Sequence, residues 1–310
     1  MDAGIDYPQG RRSGRCEACK PRLIPGDVAL LEHTKFAPSP EERTNGLILA
    51  CRAQRQADAC VAWLGGDDES AEHPRQTLRC RVAQLEDATR DIKSVVLEVV
   101  DGPPLAYSAG QYVRVTFPEA PTRDYSMAAC PNSGVLEFHV RRTSGGATSQ
   151  RVAMALSLGD EVTVDGPYGA SFLREKYAGP IVVIAGGSGL TPIKSIVDTA
   201  LVRGLRQPIH VYHGVRTPRD MYFKAHFEAF GERYANVTLT PVLSEASGMY
   251  GWRTSWVTDA IGEDLNDLDG WKAYVAGPPA MVDAAQDTLT QRGLNADMLF
   301  MPESEAAVRA

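Results

Sequence analysis

The sequence lacks any long apolar run and any excess of positive charge, and each absence excludes a class of protein. No stretch of the 310 residues approaches the roughly 20 apolar residues that a membrane-spanning helix needs. Acidic side chains outnumber basic ones by 39 to 32, and the net charge of -7 argues against nucleic acid and leaves no basic patch for an anionic membrane. We therefore expect small molecules or proteins as partners, with no nucleic acid and no membrane.

The N-terminus also lacks the basic and apolar regions of a secretory signal peptide. Six cysteines in a chain of this length, without such a signal, favour free thiols or metal ligands over a disulfide framework. We expect a cytoplasmic protein that acts as a monomer.

The length and the composition bound the number of domains. A chain of 310 residues exceeds one ordinary domain and should hold two or three, and its 44% hydrophobic content is sufficient for their cores. Residues 65–73 are polar and have no periodicity, so we interpret them as a linker.

A cysteine pattern typical of a metal site lies before this linker. Cys16 and Cys19 form a C-x-x-C pair and Cys51 follows at a strand end, and thiolates are ligands that iron and zinc select. The plant-type [2Fe-2S] pattern, C-x4-C-x2-C with a distant fourth cysteine, puts its first ligand at Arg11. A guanidinium has no lone pair for a metal, so two alternatives stay open: a cluster that assembles despite Arg11, and a degenerate domain without one.

Short alternating runs separated by turns follow the linker, and their density is typical of a small antiparallel barrel. Arg123-Asp124-Tyr125-Ser126 comes after one of these runs and a proline-containing turn, so we place it at the rim of the β-domain. Arg123 suits a phosphate, Tyr125 offers a flat ring face and Ser126 a hydroxyl, a set that suits a flavin nucleotide. The alternative is a strand end with a surface arginine. The runs are residues 78–82, 94–100, 111–117, 135–141 and 161–164.

Two further elements belong to the same β-domain. Gly145-Gly146-Ala147-Thr148-Ser149 is a glycine pair followed by two hydroxyl residues that can cap a short helix over residues 150–156. Free backbone N–H groups at such a helix start form a phosphate cradle. Gly166-Pro167-Tyr168-Gly169 is predicted to be the turn that closes the barrel.

From Pro180 the pattern changes to buried strands that alternate with helices, as a parallel sheet requires. The apolar run 181–185 leads into Gly186-Gly187-Ser188-Gly189-Leu190-Thr191 and then into a helix with one apolar face. The glycines let the backbone approach a pyrophosphate, and the helix N-terminus supplies positive potential. We therefore predict a dinucleotide loop, against the alternative of a tight strand-to-helix turn.

The second strand of this part, residues 209–213, leads to the residues that bear on the choice of dinucleotide. Asp220 suits a ribose hydroxyl, whereas Arg216 and Arg219 suit a 2′-phosphate, so these residues leave NADH and NADPH open. Further along we predict a strand at 237–243, a helix from 255, a strand and turn at 271–279, a helix over 280–293 and a last strand near 298–300.

Taken in order, these motifs resemble the ferredoxin reductase superfamily. The cysteine loop, the Leu-Ala-Cys strand end and Val61-Ala62-Trp63-Leu64 resemble the ferredoxin domain that opens the reductase components of Rieske aromatic-ring-hydroxylating dioxygenases, of the naphthalene dioxygenase reductase type. The resemblance implies a multidomain chain of α/β and all-β parts. These are a truncated β-grasp, plant-type ferredoxin-like segment at 1–65, an antiparallel Greek-key barrel for FAD at 74–178 and a Rossmann-like parallel α/β domain for NAD(P) at 179–310.

The resemblance also implies roles for residues at the flavin and at the pyridine nucleotide, the two partners in the hydride transfer. Tyr125 along the isoalloxazine and Ser126 near N5 would be the catalytic residues. Ala276 stands where many relatives carry a cysteine near the nicotinamide, and Phe300 is either the C-terminal aromatic at the flavin face or a core residue. The other residues implied for FAD are Arg123, His139, Val140, Gly145, Gly146, Thr148 and Ser149. Those implied for the pyridine nucleotide are Gly186, Gly187, Gly189, Thr191, Arg216, Asp220, Gly277 and Pro278.

The resulting prediction is an NADH-dependent reductase. A hydride passes from NADH to FAD, and electrons continue through a [2Fe-2S] cluster, if one assembles on Cys16, Cys19 and Cys51, to a ferredoxin or a Rieske-type oxygenase. Family likeness favours NADH over NADPH. Two alternatives are a cluster-less diaphorase or flavin reductase, which Arg11 motivates, and a non-catalytic redox or partner-binding protein.

Overall fold

The computed structural model describes residue 14 and residues 19–33, 38–62, 73–245 and 252–301. The predictions for Arg11 and Cys16, and for the linker up to residue 72, lie outside the described residues. Within these ranges no helix combines the length and the hydropathy needed to cross a bilayer.

The described part of the N-terminal segment contains two small antiparallel sheets and a short helix, α1. Its elements are β1 Arg22–Leu23, β2 Val28–Leu30, α1 Pro40–Thr44, β3 Ala53–Arg55 and β4 Val61–Ala62, and β1 pairs with β4 and β2 with β3. Helix α1 starts after Ser39 because the Ser39 hydroxyl and the Glu42 carboxylate accept each other's backbone N–H groups. The buried core here consists of Cys19 and Leu49, with Cys51 packed against it. Two of the predicted metal ligands thus lie in that small core.

The middle of the chain forms an antiparallel sheet around an apolar core. Its elements are β5 Gln76–Asp87, β6 Ile92–Val99, β7 Tyr112–Thr116, β8 Arg123–Ser126, β9 Val135–Arg141, α2 Ala147–Ala155 and β10 Glu161–Tyr168. Alternate side chains point inward, as Leu78, Cys80 and Val82 do in β5. The strand order is β8-β7-β10-β5-β6-β9, and the Ala128 N–H donates to the Glu137 carbonyl at 2.8 Å, so the chain after β8 bonds back to β9. The predicted antiparallel barrel is confirmed in this nearly closed sheet.

Arg123–Ser126, predicted to follow a strand and a turn at the rim of the β-domain, forms strand β8 at the end of the strand order and pairs with β7. Two other local predictions within this sheet were wrong in detail. Helix α2 begins at Ala147 and not at residue 150, because the hydroxyls of Thr148 and Ser149 bond to carbonyls and do not cap the helix. The segment from Gly166 to Tyr168 is the end of β10 and not a turn.

The C-terminal part is a parallel sheet covered by helices on both faces, as predicted. Its elements are β11 Ile181–Gly186, α3 Leu190–Val202, β12 Ile209–Val215, α4 Lys224–Arg233, β13 Val237–Leu243, β14 Arg253–Thr254, α5 Val257–Asp264, β15 Lys272–Ala276, α6 Pro279–Gln291 and β16 Leu299–Phe300. Every residue of β11 is buried, which explains its uninterrupted apolar run. Helices α3 and α4 cover one apolar core, and α5 and α6 cover the other.

The strand order is β14-β13-β12-β11-β15-β16. From β11 the chain adds β12, β13 and β14 on one side and then returns to add β15 and β16 on the other, so the switch point of the sheet lies between β11 and β15. The helices that follow β11 and β15 therefore lie on opposite faces of the sheet, and the crevice between the carboxyl ends of two such strands is where open α/β sheets bind ligands. Strand β11 ends at Gly186 and β15 ends at Ala276. The predicted glycine loop and Gly277 thus lie at the switch point of the sheet.

The two large sheets meet where β9 and the chain before it face helix α3. The Ser195 hydroxyl donates to the Ala129 carbonyl at 2.7 Å, and the Lys194 ammonium lies 3.1 Å from the Glu137 carboxylate. The switch point of the parallel sheet consequently lies beside β9 of the barrel.

Candidate functional site

The glycines of the switch point have no room for side chains. A Cβ on Gly189 would lie 2.2 Å from the Ala276 carbonyl oxygen, and one on Gly186 would lie 2.5 Å from the Met281 sulfur. A Cβ on Gly277 would lie 3.1 Å from the Gly186 nitrogen. The backbones of the two loops are therefore in direct contact, which requires glycine on both sides.

Helix α3 begins at the end of the first of these loops. Gly187–Gly189 forms a 3-10 turn, and Gly189 provides no side-chain cap for the 13 residues of α3. The Gly187 and Ser188 carbonyls already accept from the Leu190 N–H, but the N-terminal end of a helix carries positive potential, which suits a diphosphate. The structure thus brings together the predicted nucleotide residues Gly186, Gly187, Gly189, Thr191, Gly277 and Pro278.

Arg123 and Tyr125 lie on the same face of β8, because side chains two apart in a strand point the same way. Arg123 is exposed, so its guanidinium can reach a phosphate. Tyr125 is 3% exposed, and its ring meets Phe117 and Phe138 edge-on with centroids 6.0 and 6.3 Å away. Ser126 follows it and is also buried. In this conformation the face of Tyr125 is covered by barrel side chains, so its place along a flavin stays a prediction.

The glycine loop after β9 forms the start of α2. Gly145 has φ +81°, a left-handed conformation that favours glycine, and Gly146 is the N-cap without a side-chain cap. A Cβ on Gly146 would lie 2.3 Å from Thr143 Oγ1 and 2.5 Å from Ser149 Oγ. The loop therefore forms a cradle in which the Thr143 and Ser149 hydroxyls leave little room at Gly146, at a second helix start suited to an anion.

Thr148 ties this cradle to the strand that carries Arg123. Its buried hydroxyl donates to the Pro121 carbonyl at 2.7 Å, two residues before Arg123. The start of α2 and the Arg123 guanidinium are thus at one end of the barrel. These donors fit the diphosphate of a flavin dinucleotide.

Strand β9 carries His139 and Val140 to the interface with the parallel sheet. His139 is buried, with Nε2 2.9 Å from Glu137 Oε1 and its ring stacked on Phe223 at 5.0 Å. The Val140 side chain packs into the barrel core, so only its backbone can contact a cofactor. His139 is therefore packed and hydrogen-bonded.

A buried network of charges joins β9 to α3 and α4. Lys194 Nζ lies 3.1 Å from Glu137 Oε2 and 3.3 Å from Asp198 Oδ2, and His226 Nε2 lies 2.8 Å from Asp198 Oδ1. Burial opposes the charge of Glu137, but hydrogen bonds from His139 and Lys194 outweigh it and lower its pKa to about 2. Burial also opposes the charge of Lys194, but Asp198 and Glu137 outweigh it and raise its pKa. Glu137 and Lys194 are therefore both charged at neutral pH.

Asp220, expected to meet a ribose, is already bonded to protein groups. Its carboxylate accepts from the Thr217 backbone N–H at 3.1 Å and from the Thr217 hydroxyl at 3.0 Å. It also pairs with Arg90 of the barrel at 3.2 Å and with Arg216 at 3.5 Å. The carboxylate thus joins the two sheets, while Arg216 stays exposed beside it.

Phe300 packs on the C-terminal edge of the parallel sheet. Its ring stacks on Tyr274 with centroids 5.3 Å apart, and the Arg174 guanidinium carbon lies 4.4 Å from the ring centre. It is half-buried and packs against the apolar core that α3 and α4 cover. Its place at a flavin face stays a prediction.

Cys19 and Cys51 are neighbours in the N-terminal segment. The Cys51 N–H donates to Cys19 Sγ at 3.4 Å. The hydrogen bond with Cys19 lowers the pKa of the Cys51 thiol to about 7, although burial opposes this. Thiolates are the form that binds iron, so these two residues fit as ligands. No group of three or more metal-binding side chains occurs among the described residues, and Cys16 is not one of these.

Glu137, Lys194 and Tyr222 line the interface between the sheets and were not predicted. One signal could have identified Lys194: a lysine among the apolar residues of α3, where the pattern predicts burial and a buried charge requires a partner. Glu137 lies on the face of β9 opposite to Leu136 and Phe138, where alternation predicts a polar residue, so the pattern gives no such signal for it.

Two family models match the chain in its two large sheets. The model of an oxidoreductase FAD-binding domain matches residues 79–172, and that of an oxidoreductase NAD-binding domain matches residues 183–287. The antiparallel barrel with its cradle and the parallel sheet with its glycine loop thus define an oxidoreductase with FAD- and NAD-binding domains.

Similar proteins span nearly the whole chain. One is the ferredoxin–NAD(P)+ reductase component of the naphthalene 1,2-dioxygenase and salicylate 5-hydroxylase systems of Ralstonia sp, 36% identical over 282 residues, which are 91% of this chain and 84% of that one. Another is the corresponding component of the naphthalene 1,2-dioxygenase system of Pseudomonas putida, 32% identical over 96% of this chain and 89% of that one. The crystal structure of a cytochrome P450 reductase from Amycolatopsis matches with a TM-score of 0.79 at 35% identity, over 98% of this chain and 92% of that one.

The chain belongs to the ferredoxin reductase family, among the reductase components of oxygenase systems. The match to the Amycolatopsis structure covers 98% of this chain and so extends beyond the two large sheets.

Proposed function

We propose that this protein oxidises NADH and passes the electrons through FAD to a ferredoxin or a Rieske-type oxygenase. FAD supplies a hydride acceptor that can release electrons one at a time. The observation that carries the proposal is the pair of phosphate-binding helix starts, α2 beside Arg123 and α3 behind Gly189, on the two sides of one interface. Hydride transfer needs no acid or base, so the residues act by holding the two nucleotides in orientation.

The proposed roles follow the two sides of that interface. Tyr125 and Ser126 are proposed as the catalytic residues in contact with the flavin. Residues proposed to hold FAD are Arg123, His139, Val140, Gly145, Gly146, Thr148, Ser149 and Phe300. Residues proposed for NADH are Gly186, Gly187, Gly189, Thr191, Arg216, Asp220, Gly277 and Pro278. The proposed domains are 1–65, 74–178 and 179–310.

The proposed preference for NADH rests on the charges around Asp220. The Asp220 carboxylate would repel a phosphate dianion placed beside it. Arg216, which lies 3.5 Å from that carboxylate, and the exposed Arg219 would attract the phosphate. The preference therefore rests on Asp220 together with the likeness to the family.

Turnover with an artificial acceptor tests the proposal. Purified protein reconstituted with FAD is expected to oxidise NADH with ferricyanide, at a kcat of about 1 to 10³ s⁻¹. With NADPH as the matched donor, kcat/KM should fall at least about tenfold, which corresponds to about 1.4 kcal/mol of lost interaction. Flavin that stays oxidised under excess NADH contradicts the proposal.

The path of electrons beyond FAD is proposed to include a [2Fe-2S] cluster where one assembles. The adjacent thiols of Cys19 and Cys51 support this route, with Cys16 as the third ligand. Arg11 in place of a fourth cysteine favours a second candidate, a cluster-less diaphorase or flavin reductase.

Iron and acid-labile sulfide in the purified protein separate these two candidates. About two irons and two sulfides per chain, lost in Cys51→Ser but kept in Cys80→Ser, support the cluster route. Cys80 is the matched control because it is packed in the barrel core, away from the N-terminal segment. FAD without iron supports the second candidate.

The described cysteines are free thiols, which suits a reducing compartment. We propose accordingly that the protein is cytoplasmic. We also propose that it acts as a monomer, because the residues assigned to both nucleotides come from one chain.

A further inference from the structure

The Tyr222 hydroxyl touches both large sheets at once. It lies 3.3 Å from the Gly187 carbonyl oxygen in the switch-point loop and 3.3 Å from His139 Nδ1 in β9. Gly187 belongs to the proposed dinucleotide loop, and β9 is the strand proposed to face the flavin. A single oxygen therefore links the two halves of the proposed reaction site.

The protonation state of His139 determines whether the Tyr222 hydroxyl donates a hydrogen bond to Nδ1 or accepts one from it. Burial lowers the pKa of His139, so its ring is neutral and carries one proton. Nε2 lies 2.9 Å from the Glu137 carboxylate, which can only accept, so the proton is assigned to Nε2 and Nδ1 is an acceptor. The Tyr222 hydroxyl then shares its one proton between Nδ1 and the Gly187 carbonyl, and it also hydrogen-bonds to the Thr191 side chain. Sharing of the proton accounts for two distances that exceed the roughly 2.7–2.8 Å of an ordinary O–H donor.

The ring of Tyr222 is held from several sides. It is 5% exposed and lies edge-on to His139 at 5.4 Å and to His213 at 6.0 Å. Phe223, next in the chain, has φ +53° and stacks on His139. A left-handed conformation is unfavourable for a residue other than glycine and persists only where the surroundings hold it. The surroundings therefore fix the position of the Tyr222 hydroxyl.

We propose that Tyr222, supported by His139, is a positioning residue that sets the distance between the dinucleotide loop and the flavin strand. This inference rests on the proposed function. Hydride transfer requires the reacting atoms to be about 3–3.5 Å apart, and a misplacement of about 1 Å can reduce the rate 10²-fold. A loop anchored through the Gly187 carbonyl to β9 meets this requirement, whereas a loop held by its own sheet alone can shift relative to the barrel.

The test compares Tyr222→Phe with Tyr212→Phe. Each variant keeps the ring and removes one buried hydroxyl, and the Tyr212 hydroxyl donates to Asp264 at 3.0 Å on the other face of the parallel sheet. In stopped-flow experiments at saturating NADH, flavin reduction in Tyr222→Phe should slow about tenfold or more with KM changed less than about threefold. The deuterium isotope effect with 4-deuterated NADH should reach its full value in this variant, because hydride transfer then limits the rate.

Thermal unfolding and the flavin content of both variants complete the test. Tyr212→Phe is expected to lose similar stability and to keep the wild-type rate. Equal rates of flavin reduction in the two variants would overturn the positioning role. Wild-type protein that NADH does not reduce would instead overturn the proposed function.

Discussion

The Gly189→Ala variant is expected to lose NADH oxidation while it still binds FAD. The φ of Gly189 is -60°, which alanine adopts without strain, so the restriction is one of space. The added Cβ would lie 2.2 Å from the Ala276 carbonyl oxygen and 2.6 Å from the Gly277 nitrogen, both backbone atoms that no side-chain rotation can move. The two loops of the switch point must separate, and we expect kcat/KM for NADH to fall about 10²-fold or more.

Gly262→Ala is the matched control for this variant. Gly262 lies inside α5, where a Cβ would meet only side-chain atoms, at 3.6 and 3.7 Å. Alanine in an exposed helix interior is more stable than glycine by about 0.5–1 kcal/mol, so this variant should keep full activity and gain slightly in stability. Titration of FAD and steady-state kinetics with NADH measure both variants. Wild-type kcat/KM in Gly189→Ala would show that the loop contact is irrelevant to nucleotide binding.

The Lys194→Met variant is expected to lose about 3–5 kcal/mol of unfolding free energy at pH 7, the usual result of removing one partner of a buried ion pair. Methionine retains the apolar contacts of the lysine stem, so the loss comes from the charge. Glu137 and Asp198, both largely buried, would then each lose the ammonium group with which they pair. Urea unfolding measures the change. Arg79→Met removes two ion pairs that are mostly exposed and should have little effect.

The same variant should alter the dependence of stability on pH. In the wild type the pKa of Glu137 is about 2, against an ordinary value of 4.5, so between these values the unfolded chain binds a proton that the folded chain does not. Stability due to Glu137 is thus complete above about pH 4.5 and lost as the pH falls to about 2. Removing Lys194 removes one of the groups that lower this pKa, so acid should destabilise the variant less steeply. Parallel curves of stability against pH for both proteins would contradict this account.

The sequence by itself determined the order of the sheets and the positions of the two glycine loops. Those features are local: alternation or continuity of apolar residues sets the strand type, and glycines beside hydroxyl residues mark where the backbone turns into a helix. The run from Ile181 into the glycine loop therefore predicted β11, the 3-10 turn and α3 together.

Only the tertiary structure decided which protein groups the polar side chains near those loops bond to. Asp220 suits a ribose by type, yet its carboxylate is bonded to Arg90, 130 residues away in the chain. Glu137 and Lys194 are 57 residues apart and form a buried ion pair, while the Tyr222 hydroxyl lies between Gly187 and His139. Periodicity encodes which face of an element is buried, but the partner of a polar group depends on which remote element packs against that face. The two glycine loops follow from the local pattern, and the contacts between the two sheets follow from the packing of one sheet on the other.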